Sequence, residues 1–186
     1  HTGTYPRRHQ RGYRRKPLLT DPLPDSRMAT DDDHRFLARA VELSRQGMNS
    51  GTGGPFGAVV VKDGVIIGEG CNEVTTSCDP TAHAEVVAIR RACTRLADFS
   101  LKGATIYASC EPCPMCLASI YWARLDRLVY ANTRDQAAQI GFDDAFLYDE
   151  VPLAPLERSL PTVHLPDDDA EGVFRLWEEK EDKVEY

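Results

Sequence analysis

The chain has 186 residues, 42% of them hydrophobic and 27% charged, enough for one domain with a real core and an ordinary balance for a globular protein. Its formal charge of −7 is split: residues 1–27 hold seven Lys or Arg against two Asp or Glu, and the rest holds 15 basic against 27 acidic residues. A body so acidic is a poor binder of polyanions, whose affinity rests on phosphate neutralisation, and no apolar run approaches the roughly 20 residues of a membrane span.

The segment His1–Arg27 carries four prolines and no apolar periodicity. It reads as a disordered basic leader or a cloning remnant ahead of a start at Met28, with an RNA-binding arm as the other reading. Residues 28–186 form the folded domain. Thr30 with Asp31–Asp33 supplies a cap and a dipole-matched first turn. Phe36, Leu37, Ala40, Val41, Ser44 and Met48 then mark one face of a helix, ended by Gly47 and Gly51–Gly54. Ala58–Val61 and Val65–Gly68 are short apolar runs joined by Asp63-Gly64, a strong hairpin signal. A second helix is expected from about Pro80 to Leu96, then a strand over Ala104–Ser109, a short helix over Leu117–Ala123 and a buried strand over Leu128–Ala131. Helices over Asp135–Ile140 and Asp167–Lys183 complete the chain, separated by the Pro-rich loop Val151–Pro166. An opening hairpin followed by strands alternating with helices predicts a mixed sheet between helical layers.

Six cysteines in a body of this size do not read as a disulfide framework. Three of them, Cys110, Cys113 and Cys116, crowd into seven residues with C-x-x-C spacing, which points to metal or redox chemistry. Cys71, Cys78 and Cys93 read as small core or surface residues, and His34 and His164 lack partners at ligand spacing. The glycines of Gly51–Gly57 mimic a phosphate cradle but lack its Gly-Lys-Ser/Thr ending.

Two segments carry chemistry: Thr81-Ala82-His83-Ala84-Glu85 and Pro112-Cys113-Pro114-Met115-Cys116. Together they spell H-x-E … P-C-x-x-C, the pattern of the zinc deaminases of nucleobases. His83, Cys113 and Cys116 suit Zn²⁺, and three protein ligands leave the fourth tetrahedral position for water. The C-x-x-C is expected to open a helix whose N-terminal dipole favours thiolates. Glu85, not needed as a ligand, fits a general acid and base. Residues i and i+2 within a helix do not face each other, so His83 should sit in the first turn. Cys110, a further three residues upstream, leaves a closed Cys₃His site as the alternative.

The chain at this point resembles the cytidine-deaminase-like superfamily, and within it the bacterial guanine deaminases, from about Phe36 to Tyr186. The matching segments are Gly53–Ala58, Asp79–Glu85, Ser109–Cys116, Tyr121–Arg124, Gly141–Asp144 and the final Tyr186. The resemblance implies a three-layer α/β/α sandwich with a mixed five-stranded sheet, zinc on His83, Cys113 and Cys116, and Glu85 as proton shuttle. It implies a purine pocket built from Phe56, Asn72, Ala84, Trp122, Asp143, Asp144 and Tyr186. It also implies a cytoplasmic homodimer whose swapped C-terminal segment seals the pocket. The implied reaction is guanine to xanthine and ammonia; guanosine, ammeline or cytosine are the sibling substrates, and tRNA adenosine the more distant one. Asp144 would complement guanine's donors, the Asn72 amide would give and accept, and Phe56 and Trp122 would stack. From residue type alone, Phe56 and Trp122 could equally be core, Asn72 a cap on the hairpin exit, and Asp143 a group that orients its neighbour.

Overall fold

A computed structural model describes residues 28–185. The elements are α1 (Asp31–Asn49), β1 (Gly57–Lys62), β2 (Val65–Cys71), α2 (Val74–Ser77), α3 (Ala84–Leu96), β3 (Ala104–Cys110), α4 (Pro114–Trp122), β4 (Arg127–Asn132), α5 (Arg134–Gln139), α6 (Ala145–Glu150) and α7 (Asp168–Glu179). The sheet order is β2-β1-β3-β4. β1 is antiparallel to β2 and β3, and β3 is parallel to β4.

Alternation in β1 sets the layers, because successive side chains of a strand face opposite ways. Ala58 and Val60 point into a cluster with Ala84, Ala88 and Ala92 of α3 and Ile120 of α4. Val59 and Val61 point into the opposite cluster, with Phe36 and Ala40 of α1 and Tyr107. Both faces are covered, so β1 reads as one apolar run. The hairpin turns at Asp63 (φ 51°) and Gly64 (φ 74°), the paired positive φ of a type I′ turn. α3 lies close on β2 because a Cβ at Gly68 or Gly70 would fall 2.3 Å or 2.4 Å from the carbonyls of Ala88 and Ala84.

Four expectations need correction. The described residues contain four strands rather than five. β4 is an edge strand, half-buried at its start and exposed at its end, so it is not a buried strand. α3 begins at Ala84 rather than Pro80, because the Asp79 carboxylate accepts from the backbone N–H of Thr81 at 2.8 Å and holds a turn there. Asp33 does more than match a dipole. Its buried carboxylate accepts two bonds from Arg127, at 2.6 and 2.9 Å, and one from the Tyr107 hydroxyl at 2.8 Å, tying the start of α1 to β3 and β4. Two short helices, α2 and α6, were not foreseen. The leader and Tyr186 lie outside the described residues.

The strand directions bring four connections to one end of the sheet. Gly57 pairs with Cys71, and Cys110 pairs with Asn132. Phe56 before β1, Asn72 after β2, Glu111–Cys113 after β3 and Arg134 after β4 therefore gather at the carboxyl ends of the parallel strands, where open α/β sheets place their sites.

Candidate active site

His83 is the N-cap of α3, with extended backbone (φ −67°, ψ 153°), and Glu85 is the second residue of the helix. The cap therefore turns its imidazole to the spot that the first-turn carboxylate reaches, and the i, i+2 difficulty disappears. Cys113 is likewise the N-cap of α4 (φ −63°, ψ 167°), followed by Pro114 at a position where no N–H is needed. Helix α4 opens at the C-x-x-C, as its chemistry led one to expect, three residues before the Leu117 start that the apolar pattern marks, and so takes in Cys116.

The three donors converge. The Nδ1 of His83 lies 3.4 Å from Cys116 Sγ and 3.7 Å from Cys113 Sγ, and all three ligand atoms lie within 4.8 Å of one another. Zinc bonds of about 2.0–2.3 Å set at tetrahedral angles give a nitrogen–sulfur edge of about 3.5–3.6 Å, so the trio fits that ion. Two helix N-termini aim at the same point, which favours thiolates there. Cys110 does not complete a closed site. Its thiol lies 3.6 Å from the Thr133 carbonyl, it stands outside the trio, and burial holds it protonated, pushed up to about 11.

The electrostatics follow from this crowding. The Cys113 thiol is pulled down to about 4, chiefly by the hydrogen bond from Cys116 against the pull of burial, and Cys116 is pushed far up by that same bond and by burial. His83 is raised, first by its bond with Cys113. The Glu85 carboxyl is raised by burial above the usual carboxylate range. It lies 3.5 Å from the Cys116 thiol, through Oε2, and is 7% exposed.

A cavity of about 490 Å³ opens on this centre. Of the expected pocket residues, Phe56, Asn72, Asp143 and Asp144 line it together with His83, Glu85 and Cys113. Phe142, which sequence reasoning passed over although it sits in the Gly141–Asp144 segment, packs edge-on to Phe56 at 4.8 Å between centroids. Arg134 and Glu111 were missed too; each stands within two residues of the end of a strand, and periodicity does not fix those ends. Asn72 Oδ1 accepts from the backbone N–H groups of Gly54 and Val74, both at 3.2 Å. The amide therefore offers the cavity a donor and not both functions. It also caps the hairpin exit, so both readings hold at once. A Cβ at Gly53 would come within 2.2 Å of the Asn72 carbonyl, so glycine is required beside it. Asp143 Oδ1 accepts from Ala145 N–H at 2.9 Å and so braces the start of α6. Asp144 is the N-cap residue of that helix. Burial raises its carboxyl, the Cys113 charge adds to this, and Arg134 pulls the other way.

The remaining two described positions lie elsewhere. Ala84 is fully buried in the core under α3 and does not line the cavity with its side chain. Trp122, at the end of α4, is 63% exposed and stands outside the cavity of this chain.

Residues 30–132 match the family described as the cytidine and deoxycytidylate deaminase zinc-binding region. The chain is 52% identical to guanine deaminase of Bacillus subtilis over 151 residues, covering 81% of this chain and 97% of the relative. The X-ray structure of guanine deaminase from Bacillus subtilis superposes with a TM-score of 0.80 at 51% identity, covering 82% and 98% of the two chains. A tRNA-specific adenosine deaminase of Haemophilus influenzae is 35% identical over 125 residues, 64% of this chain and 72% of the relative. With the H-x-E and P-C-x-x-C segments folded around one metal-sized gap, this chain belongs to the zinc-dependent cytidine and deoxycytidylate deaminase family.

Proposed function

We propose that this protein is a zinc-dependent guanine deaminase, hydrolysing guanine to xanthine and ammonia. The observation that carries the reading is the buried Glu85 carboxylate beside the His83, Cys113 and Cys116 trio, opening on a cavity with polar groups of both kinds. The identity to the Bacillus subtilis guanine deaminase supports the choice of base.

Zinc held by His83, Cys113 and Cys116 would supply a Lewis acid and an acidified water. The chain's own residues do the rest. Glu85 takes one proton from the water that attacks C2 and hands it to the adjacent ring nitrogen. It then takes the remaining proton from the new hydroxyl on C2 and passes it to the amine, so that the C–N bond breaks, the carbonyl forms and ammonia leaves. Its burial favours this double duty, because a carboxyl raised above its usual range is a stronger base towards the water proton and stays protonated long enough to deliver it. Asp144 accepts from guanine's N–H donors. The Asn72 amine donates to an acceptor on the base, in an orientation fixed by Gly54 and Val74. Phe56, steadied by Phe142, offers an aromatic wall. A pocket that pairs these groups penalises a base lacking them. The main-chain N–H of Ala84, in the first turn of α3, is the route by which that residue would touch the base.

The same reading makes the protein a cytoplasmic homodimer with an exchanged C-terminal segment, serving purine metabolism. Several observations support the exchange. The outer edge of β4 is exposed. Leu160, Val163 and Leu165 stand 71–80% exposed in an extended stretch, and Phe174 and Leu176 of α7 are 76% and 67% exposed. A second copy is the occupant that would cover the β4 edge and supply the fifth strand. Trp122 and Tyr186 would then act in the assembled pocket. None of the six cysteines is in a disulfide, which suits a reducing compartment.

Ammonia release and ultraviolet spectra, read over guanine, guanosine, cytosine, adenine and ammeline with zinc content measured alongside, test the proposal. Guanine should be the preferred substrate. An unchanged guanine spectrum and no ammonia from zinc-loaded protein would refute it. Light scattering should show a dimer, and a chain ending at Arg158 should be monomeric.

A further inference from the structure

The cavity is rich in carboxylates: Glu85, Glu111, Asp143 and Asp144 all line it. Against them stands Arg134, the first residue of α5, delivered to the same wall by the end of β4. Its guanidinium carbon lies 4.5 Å over the centre of the Tyr148 ring, and its backbone N–H donates to Glu111 at 3.1 Å. Among the described residues no carboxylate forms an ion pair with that guanidinium. An aromatic face holds a cation in place without neutralising it, so the planar fork keeps donors for a ligand.

The reaction changes what the cavity must hold. Guanine's exocyclic amine, a donor, is replaced by a carbonyl, an acceptor, and xanthine sheds a ring proton near neutral pH where guanine stays neutral. The four carboxylates oppose an anion. Apart from His83, which belongs to the metal trio, Arg134 is the cationic side chain on the wall. We propose that Arg134 recognises the ionised oxopurine product and sets how strongly xanthine holds the site. The inference rests on the guanine reading above.

Its test is inhibition of initial guanine turnover by xanthine and by hypoxanthine, which keeps its protons under the same mildly alkaline conditions. In the unaltered protein, xanthine should gain on hypoxanthine as pH rises through neutrality. Arg134→Gln should weaken xanthine by about tenfold relative to hypoxanthine, the worth of one hydrogen bond to a charged group. Arg134→Lys, which keeps the charge, should restore most of the preference. Equal weakening of both oxopurines in Arg134→Gln, or no change in either, overturns the proposal while guanine turnover stands. If guanine is not turned over at all, the guanine reading fails. Calorimetric titration of zinc-loaded protein with the two oxopurines then reads the same ratio directly, and an unchanged ratio sinks the Arg134 role by itself.

Discussion

Glu85→Gln separates the proton shuttle from the metal site. Glutamine has the size of glutamate, so it fits the buried second position of α3 without disturbing the packing around it. It can neither take a proton from water nor return one to the leaving amine. General acid and base catalysis contributes about 10²–10⁴ in rate, and here one side chain serves both transfers. A fall of about 10³–10⁴ in kcat is therefore expected, about 4–5.5 kcal/mol of barrier. Zinc content should stay full, because His83, Cys113 and Cys116 converge without the carboxylate. The KM should change far less than kcat. The pH profile carries a second signature. Burial raises the Glu85 carboxyl, and the base form starts the reaction. The unaltered enzyme should gain activity as pH rises through that elevated value, and the residual rate of the variant should lack that limb. Ammonia release with metal analysis on the same samples decides the matter. A variant keeping a tenth or more of the activity would refute the shuttle; one that lost its zinc would make Glu85 a ligand.

Three further outcomes follow from the geometry. Asn72→Asp keeps the acceptor that Gly54 and Val74 need but deletes the donor facing the cavity, so kcat/KM for guanine should fall by about 10–100-fold with the melting temperature little changed. Steady-state kinetics beside thermal melts check this. Cys110→Ala should retain full zinc by metal analysis, since its thiol faces Thr133 and not the trio, whereas Cys113→Ala should lose metal and activity together. Asp33→Asn breaks a buried pair with Arg127. Such losses cost about 3–5 kcal/mol, lowering the melting temperature by about 10 °C in a chain of this size. The Arg127 guanidinium holds the Asp33 carboxyl well below the usual carboxylate range. Its stabilisation is therefore full above the unfolded value of about 3.9 and is lost as pH falls towards the folded one. Melts in acid should show the gap between the two proteins closing.

What was legible in the sequence was chiefly local. Thr30 and Asp33 form the expected cap on α1, Asp63-Gly64 makes the hairpin turn, and the metal trio follows from spacing and donor chemistry. What was not legible depended on pairing across the chain. Asp33 looks like one of three acidic residues in a first turn; only the parallel placement of β4 beside β3 brings Arg127 to it, 94 residues later. Periodicity marks Leu128–Ala131 as buried because it is apolar, yet a strand at the edge of a sheet has one neighbour and is covered on one side only. α6 was missed because its six residues are too few to show a helical period. Arg134 is an unremarkable charge until the end of β4 is known. From its residue type Asn72 can both give and accept; the two backbone donors that fix its amide come from the loop at Gly54, 18 residues away, and from the start of α2 at Val74, 2 residues away.

The spacings of the two motifs themselves have a structural cause. Inside a helix, side chains two apart diverge by about 200° and those three apart converge only on one face. An N-cap residue escapes that geometry because its backbone is extended. His83 as cap and Glu85 as second residue can therefore reach one point, and Cys113 as cap and Cys116 as third residue of α4 do the same. Both helices then present unpaired N–H groups and the positive end of the dipole to that point, which makes the accumulation of a carboxylate and two sulfurs tolerable. It follows that one residue inserted between His83 and Glu85, or between Cys113 and Cys116, would leave either helix able to form but would turn the second side chain away by about 100°. The site thus depends on where each helix begins more than on how stable it is.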